Sequence, residues 1–258
     1  MKKANFYSHR KLGCIVLILS TIGFIGCSET IVEVRPDIKP PAPVTFSKTI
    51  FFDDFSYPQR INRNMWVSNG KRHWIWQGQT SEEPGCVDGC LKQNNEHDSA
   101  GNVIMYVQTP QFANGTIETK TRMNFDQSIA PTESEENTLR YIIGSGIVFR
   151  MTDINNYYMF RLAGEEGCVL GKMVNGKWHN FVNPRRMNFL EGGRIKPNYW
   201  YALKVKVIGN NIQCFINDSP VINYTDDGSI GGTPVTVGHL GLVTFKCFAD
   251  FEYINAYQ

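Results

Sequence analysis

YIIGSGIVFRMTDINNYYMFRLA, residues 141–163, decides how the rest of the chain is read. Tyr141, Ile143, Ile147 and Phe149 fall on one side of an extended arm, and Tyr158, Phe160 and Leu162 fall on one side of a second. The polar cluster of residues 152–156 separates them, so the stretch predicts a β-hairpin whose two apolar faces meet one core. Side chains alternate with period two, so any register that aligns these faces also aligns the opposite ones. Gly144, Gly146, Val148 and Arg150 then share a side with Tyr157, Met159 and Arg161. A strand interior gains nothing from glycine unless something approaches the backbone closely. That second face reads either as the floor of a ligand groove or as a solvated sheet face with a bulge.

On both sides of the hairpin the signals are again β. Residues 49–55, 102–109, 116–125, 168–174, 177–182, 199–207, 212–216, 239–245 and 248–256 all read as strands. In residues 116–125, Ile117, Met123 and Phe125 alternate with Glu118, Lys120, Arg122 and Asn124, the pattern of a half-buried strand. Asn175-Gly176, Asn210-Asn211 and Asn217-Asp218 mark turns, because these residues tolerate positive φ. No stretch after Cys27 sustains helical spacing. Short antiparallel strands with closely spaced turn signals mean one sandwich or barrel, here over residues 46–258.

The start of the chain is different. Lys2, Lys3, Arg10 and Lys11 precede an apolar run, residues 12–25, that ends in Phe24-Ile25-Gly26-Cys27. This resembles a bacterial lipoprotein signal, in which the cysteine after a small residue is lipidated and becomes the mature N-terminus. The run is shorter than the ~20 residues of a spanning helix. The expected organisation is a signal peptide over residues 1–26, a proline-rich tether over residues 27–45, and the folded domain. Lipid on Cys27 would hold the protein at the bacterial outer membrane, periplasmic or surface-exposed, through the anchor alone.

Charge and cysteine usage narrow the partners. The chain has 26 Lys and Arg against 24 Asp and Glu, and four of the bases lie in the leader. The mature chain therefore has a small negative balance with no basic stripe, which argues against nucleic acid. Five cysteines follow Cys27: Cys86, Cys90, Cys168, Cys214 and Cys247. An envelope compartment permits disulfides, and Cys86 and Cys90 are spaced for a tight loop, but an odd count leaves at least one free. The acids Asp53, Asp54 and Asp250, on opening and closing strands, are candidates for a structural calcium; hydrogen-bonded strand-end acids are the alternative, and no cofactor is required.

The order Phe52-Asp53-Asp54-Phe55, Trp66 and Trp76, residues 146–150, residues 156–162, Asn175-Gly176 before Trp178, residues 198–201, Gly241-Leu242 and Ala249-Asp250-Phe251 resembles a known family. It is similar to the concanavalin A-like, LamG-type jelly rolls of bacterial secreted proteins, including those related to the 3-keto-disaccharide hydrolase-type domain. The resemblance spans residues 48–257 and implies a two-sheet antiparallel jelly-roll sandwich with carbohydrate as the default ligand. The related family 16 glycoside hydrolases carry a Glu-x-Asp-x-(x)-Glu strand, and this chain has none; its nearest stretch is Asp250-Phe251-Glu252.

Arg150, Tyr157 and Arg161 are the candidate groove residues, joined by Trp74 and Trp76, which share one face of an extended segment and suit the C–H face of a sugar. Core packing of one or both tryptophans is the alternative. Three functions follow from these residues. The first is a lipid-anchored protein that binds a glycan or assists its processing; the second is a glycan hydrolase or polysaccharide lyase on the same groove; the third is a non-catalytic protein-interaction module.

Overall fold

Residues 141–163 form the expected hairpin, with Ile147 opposite Phe160 and Phe149 opposite Tyr158. The structure is a computed structural model that describes residues 48–55, 65–68, 74–77, 90–93, 102–124, 143–164, 167–182, 187–190 and 193–258. The leader, the tether with Cys27, and Cys86 lie outside these residues.

The strands in chain order begin with β1 (Thr49–Asp53), β2 (Trp66–Ser68), β3 (Trp74–Gln77), β4 (Cys90–Gln93) and β5 (Asn102–Val107). Next come β6 (Gly115–Asn124), β7 (Gly144–Asp153), β8 (Asn156–Leu162), β9 (Cys168–Val174) and β10 (Lys177–Val182). The last are β11 (Trp200–Ile208), β12 (Asn211–Ile216), β13 (Ser219–Thr225), β14 (His239–Phe245) and β15 (Phe248–Tyr257). No α-helix occurs among the described residues. One sheet of eight strands runs β13-β12-β11-β6-β15-β4-β3, with β1 also paired to β15. The other, of seven, runs β10-β9-β8-β7-β14-β5-β2. All the described pairings are antiparallel, which is the jelly-roll sandwich expected from the sequence.

The core lies between the sheets. Ile147, Phe149, Tyr158, Phe160, Leu170 and Leu242 from the seven-stranded sheet meet Ile117, Leu203, Val205, Phe251 and Ile254 from the eight-stranded one. Phe149 and Tyr158 stack with ring centroids 5.4 Å apart, a cross-strand pair that helps fix the hairpin register. Of the hydroxyls buried among these side chains, one pair joins the two sheets: Thr121 Oγ1 donates to Ser145 Oγ at 2.9 Å.

The turns follow the sequence signals. Asn175 and Gly176 adopt φ of 49° and 77°, as do Asn217 and Asp218 with 48° and 62°, so both hairpins use turns that match strand twist. Asp153 Oδ1 caps the β7–β8 turn by accepting from the Asn155 amide at 2.7 Å. At the far end of the chain, β1 pairs with β15, and Lys48 and Gln258 exchange two backbone hydrogen bonds of 2.8 and 2.9 Å.

Candidate ligand-binding face

The seven-stranded sheet has one face in the core, and its opposite face is also built from large side chains. Reading across the register, Tyr106, Gly241, Val148, Met159 and Gly171 form one row. Ile104, Val243, Gly146, Arg161 and Val169 form the next. Ile104, Val148, Met151, Tyr157, Met159 and Val243 are buried there as a second apolar cluster, with Tyr106, Met173 and Trp178 partly exposed against it. A sheet face open only to water would leave such residues wet, so this face is a packed surface rather than an empty groove.

Its glycines make room for the chain's own side chains. A Cβ on Gly146 would lie 2.5 Å from Arg161 Cα, and one on Gly144 would collide with the Arg161 guanidinium. Arg161 therefore lies flat over β7 and reaches Phe245, whose ring centroid is 4.6 Å from Cζ. Gly171 does the same for Trp178, whose Cζ2 would sit 2.6 Å from an added Cβ. The Trp178 indole N–H donates to Asn180 Oδ1.

The five expected groove residues separate into three groups. Tyr157 and Arg161 lie on this face. Tyr157 is 2% exposed, and its hydroxyl accepts from Asn102 Nδ2 at 2.7 Å. Desolvation pushes its phenol up to about 12. Arg161 is partly exposed; Nη1 donates to Leu162 O at 2.9 Å, and Nε has no partner among the described residues. Burial lowers its guanidinium to about 10.

Arg150 corrects the expectation. Its φ of 49° and the register shift after Phe149 mark a bulge, so the alternation inverts and Met151, not Arg150, joins the outer cluster. Arg150 is 2% exposed and is held by main-chain oxygens. Nε and Nη2 donate to Ala113 O at 2.9 and 2.6 Å, Nη2 also to Gly209 O at 2.7 Å, and Nη1 to Val235 O at 3.1 Å. It ties three loops to the end of β7 and lines no groove.

Trp74 and Trp76 lie on β3, at the edge of the eight-stranded sheet. They belong to the other sheet from Arg161, so the five residues do not line one groove.

Two of the candidate calcium acids have partners within the chain. Asp53 is 5% exposed on the core side, where it accepts from the Phe55 amide and Trp66 Nε1, each at 2.9 Å. Asp250 alternates with the buried Ala249 and Phe251 and faces the opposite way, accepting from Arg122 Nε at 2.9 Å and Asn124 Nδ2 at 2.8 Å. The two carboxylates point to opposite sides of one sheet, and among the described residues no three metal-ligating side chains converge.

Sequence reasoning passed over two groups. Tyr106 and His239 bring their rings to 5.3 Å on the outer face, and His239 Nδ1 is buried with no partner among the described residues. Inside, Lys172 Nζ and Asp226 Oδ2 pair at 2.9 Å, each 1% exposed, with Tyr158 OH donating to the same oxygen at 2.7 Å. The signal for Lys172 was its place in Cys168-Val-Leu-Gly-Lys172, in phase with the core-facing Cys168 and Leu170.

The outer face of the eight-stranded sheet is charged and internally paired. Lys204 Nζ bridges Asp218 at 2.6 Å and Glu118 at 3.4 Å, and Tyr257 OH donates to Glu118 at 2.6 Å. Glu118, Lys204, Asp218 and Tyr253 border a cavity of about 280 Å³.

Cys168, Cys214 and Cys247 are buried free thiols. Cys247 Sγ donates to Gly144 O at 3.2 Å, and desolvation pushes its thiol from 9.0 up to about 11. Cys247 and Tyr157 are both acids with raised folded values, so their contribution is fully present below the unfolded values and lost as pH rises through the folded ones. Unfolding free energy should fall above pH 9, by on the order of 2–3 kcal/mol by pH 11 for the Cys247 share. Urea melts between pH 8 and 11 check this. A flat profile, or one unchanged in Cys247→Ala, would contradict it.

Two antiparallel sheets packed around one core define an all-β jelly-roll sandwich. The chain belongs to the 3-keto-alpha-glucoside-1,2-lyase-like domain family, which it matches over residues 64–252. The fold is that of a Bacillus subtilis protein of unknown function with a galectin-like fold, at 12% identity and a TM-score of 0.51, covering 82% of this chain and 96% of that one. The carbohydrate-binding module CBM66 from Bacillus subtilis is similar at 18% identity, covering 73% and 92%, with a TM-score of 0.49. The catalytic domain of LamA from Zobellia galactanivorans is similar at 9% identity, covering 82% and 98%, with a TM-score of 0.47. No curated protein matches the chain.

Proposed function

We propose that this chain is a lipid-anchored protein of the bacterial envelope that binds a glycan on the outer face of its seven-stranded sheet. One observation carries the reading. Partly exposed Tyr106 and Trp178 flank a buried apolar floor, with Arg161 and His239 as polar groups among them. Sugars need both kinds of contact: an aromatic plane for their C–H faces, and donors or acceptors for their hydroxyls. The family's name adds a glucoside derivative as the class of ligand.

A lyase reading has its own support in the Tyr106–His239 pair. Elimination next to a sugar carbonyl needs a base for the adjacent C–H and a group to meet the developing oxyanion. An imidazole beside a phenol supplies the first, and a guanidinium supplies the second. Hydrolysis by paired carboxylates has no comparable support, because the described strands of this sheet carry a single acid, Asp153, at the β7–β8 turn.

The test is a glycan array probed with the full-length protein in detergent, with every hit assayed for chain cleavage and for unsaturated products. Binding that falls about 2- to 10-fold in Tyr106→Ala or Trp178→Ala is expected. Binding without cleavage makes the protein a binder; unsaturated product abolished in His239→Ala makes it a lyase. Binding unaffected by either aromatic substitution removes the face. Anchoring is tested separately: Cys27→Ser should move the protein from the membrane to the soluble fraction, and unchanged fractionation would remove the lipoprotein assignment.

A further inference from the structure

We infer that the glycan taken by this face carries a carboxylate, as a uronic acid does, and that Arg161 receives it. This rests on the reading that the outer face binds a glycan. The argument starts from how the other buried or half-buried cations are treated. Lys172 has Asp226 at 2.9 Å, Arg122 has Asp250 at 2.5 Å, and Arg150 has bonds to three main-chain oxygens and to Asn114 Oδ1. Each positive charge removed from water is met by an anion or by a full set of acceptors.

Arg161 is treated otherwise. Of its donors, Nη1 meets Leu162 O at 2.9 Å, while Nε is buried without a partner among the described residues. Its flat face is spent on the Phe245 ring. The neighbouring Tyr157 hydroxyl is already engaged by Asn102. The described strands of this sheet carry one acid, Asp153 at the β7–β8 turn, which is engaged by Asn155 and Asn156. The lowering of its guanidinium to about 10 has the same cause, desolvation without a nearby carboxylate. Gly144 holds this arrangement in place, since a Cβ there would meet Arg161 Nη1, and Gly146 lets β8 approach at Phe160 and Arg161.

A charge kept in that state costs stability, and a neutral hydroxyl would relieve little of it. A carboxylate would relieve it well, because it meets the cation itself in a charge-assisted pair, and a small turn of the side chain that uncovers Nε would let that pair become bidentate. The side chain remains partly exposed, so a ligand on this face can bring a carboxylate to it. The acidic sugar is therefore recognised through one guanidinium.

The experiment is calorimetric titration of the full-length protein in detergent with oligogalacturonates, hyaluronan oligosaccharides and alginate oligosaccharides. Each is compared with its carboxyl-reduced, neutral counterpart. At least one uronate should bind about 10- to 100-fold more tightly than its reduced form. Arg161→Gln should erase that difference without lowering the melting temperature of the unliganded protein, because it removes an uncompensated charge rather than a bond network. If Arg161→Gln does not fold, the comparison of native and reduced sugars on the unaltered protein still decides. Equal binding of acidic and reduced sugars overturns the uronate assignment and leaves glycan binding standing. Preference retained in a folded Arg161→Gln protein overturns the role of Arg161. No binding of any of these sugars, with array hits confined to neutral glycans, overturns this inference alone; an array without hits overturns the glycan reading with it.

Discussion

Lys172→Met should cost about 3–5 kcal/mol of unfolding free energy, far more than its loss of packing. Lys172 and Asp226 are each 1% exposed. Asp226 Oδ2 takes Lys172 Nζ and the Tyr158 hydroxyl, and Oδ1 takes the Gly228 amide at 3.0 Å. Lys172 also donates to Gly232 O at 2.6 Å, while the Tyr158 oxygen accepts from the Val235 amide at 3.1 Å. One ion pair therefore staples residues 226–235 to the seven-stranded sheet. Methionine would leave an anion among the rings of Tyr158 and Phe181, with no cation to offset its desolvation. Asp226→Asn should cost comparably, and Tyr158→Phe about 1–1.5 kcal/mol, the share of a single hydrogen bond. Removing both charges as Lys172→Met with Asp226→Leu should recover much of the loss, since a buried pair is expensive to break but not to replace. Urea denaturation of the four proteins measures this. A single substitution within 1 kcal/mol of the parent would show that the pair is not the staple described.

Arg150→Met should be the second large effect, about 3 kcal/mol or more. The substitution removes the charge-assisted bonds that the 2%-exposed guanidinium makes to the carbonyls of Ala113, Gly209 and Val235. Hydrogen bonds from a charged group contribute about 1.5–3 kcal/mol each. Lysine should not rescue it, because one ammonium cannot reach oxygens that the planar fork contacts from several nitrogens. Hydrogen exchange should rise in the segments around Ala113, Gly209 and Val235 and change little in β11 and β12. Rescue by Arg150→Lys to parental stability would contradict the fork geometry.

Much of the fold was legible because its determinants are local. The β7–β8 register follows from alternation in one continuous stretch, and Asn-Gly and Asn-Asp fix turns by their own φ preferences. Arg150 was misplaced because alternation cannot signal its own interruption. The bulge exists to meet oxygens from Ala113, Gly209 and Val235, which lie up to 85 residues away in sequence. Trp74 and Trp76 failed for a related reason: which sheet a short strand joins depends on β4, its partner, and not on its own residues. Glycines in β7 did indicate a close approach, but the sequence could not say that the approaching group is the chain's own Arg161. Lys172 was readable in principle, as a charge in phase with core residues, yet its partner Asp226 is 54 residues on.

The closure of the chain at Lys48 and Gln258 has a mechanical consequence. Both ends of the domain leave from one corner, and that corner belongs to the eight-stranded sheet through β1 and β15. The anchor proposed above, attached before Lys48, would therefore pull on the sheet opposite the proposed glycan face. Drag on a polymer bound as proposed would be transmitted through the core, across the layer joined by Thr121 and Ser145, rather than along the strands of the seven-stranded sheet.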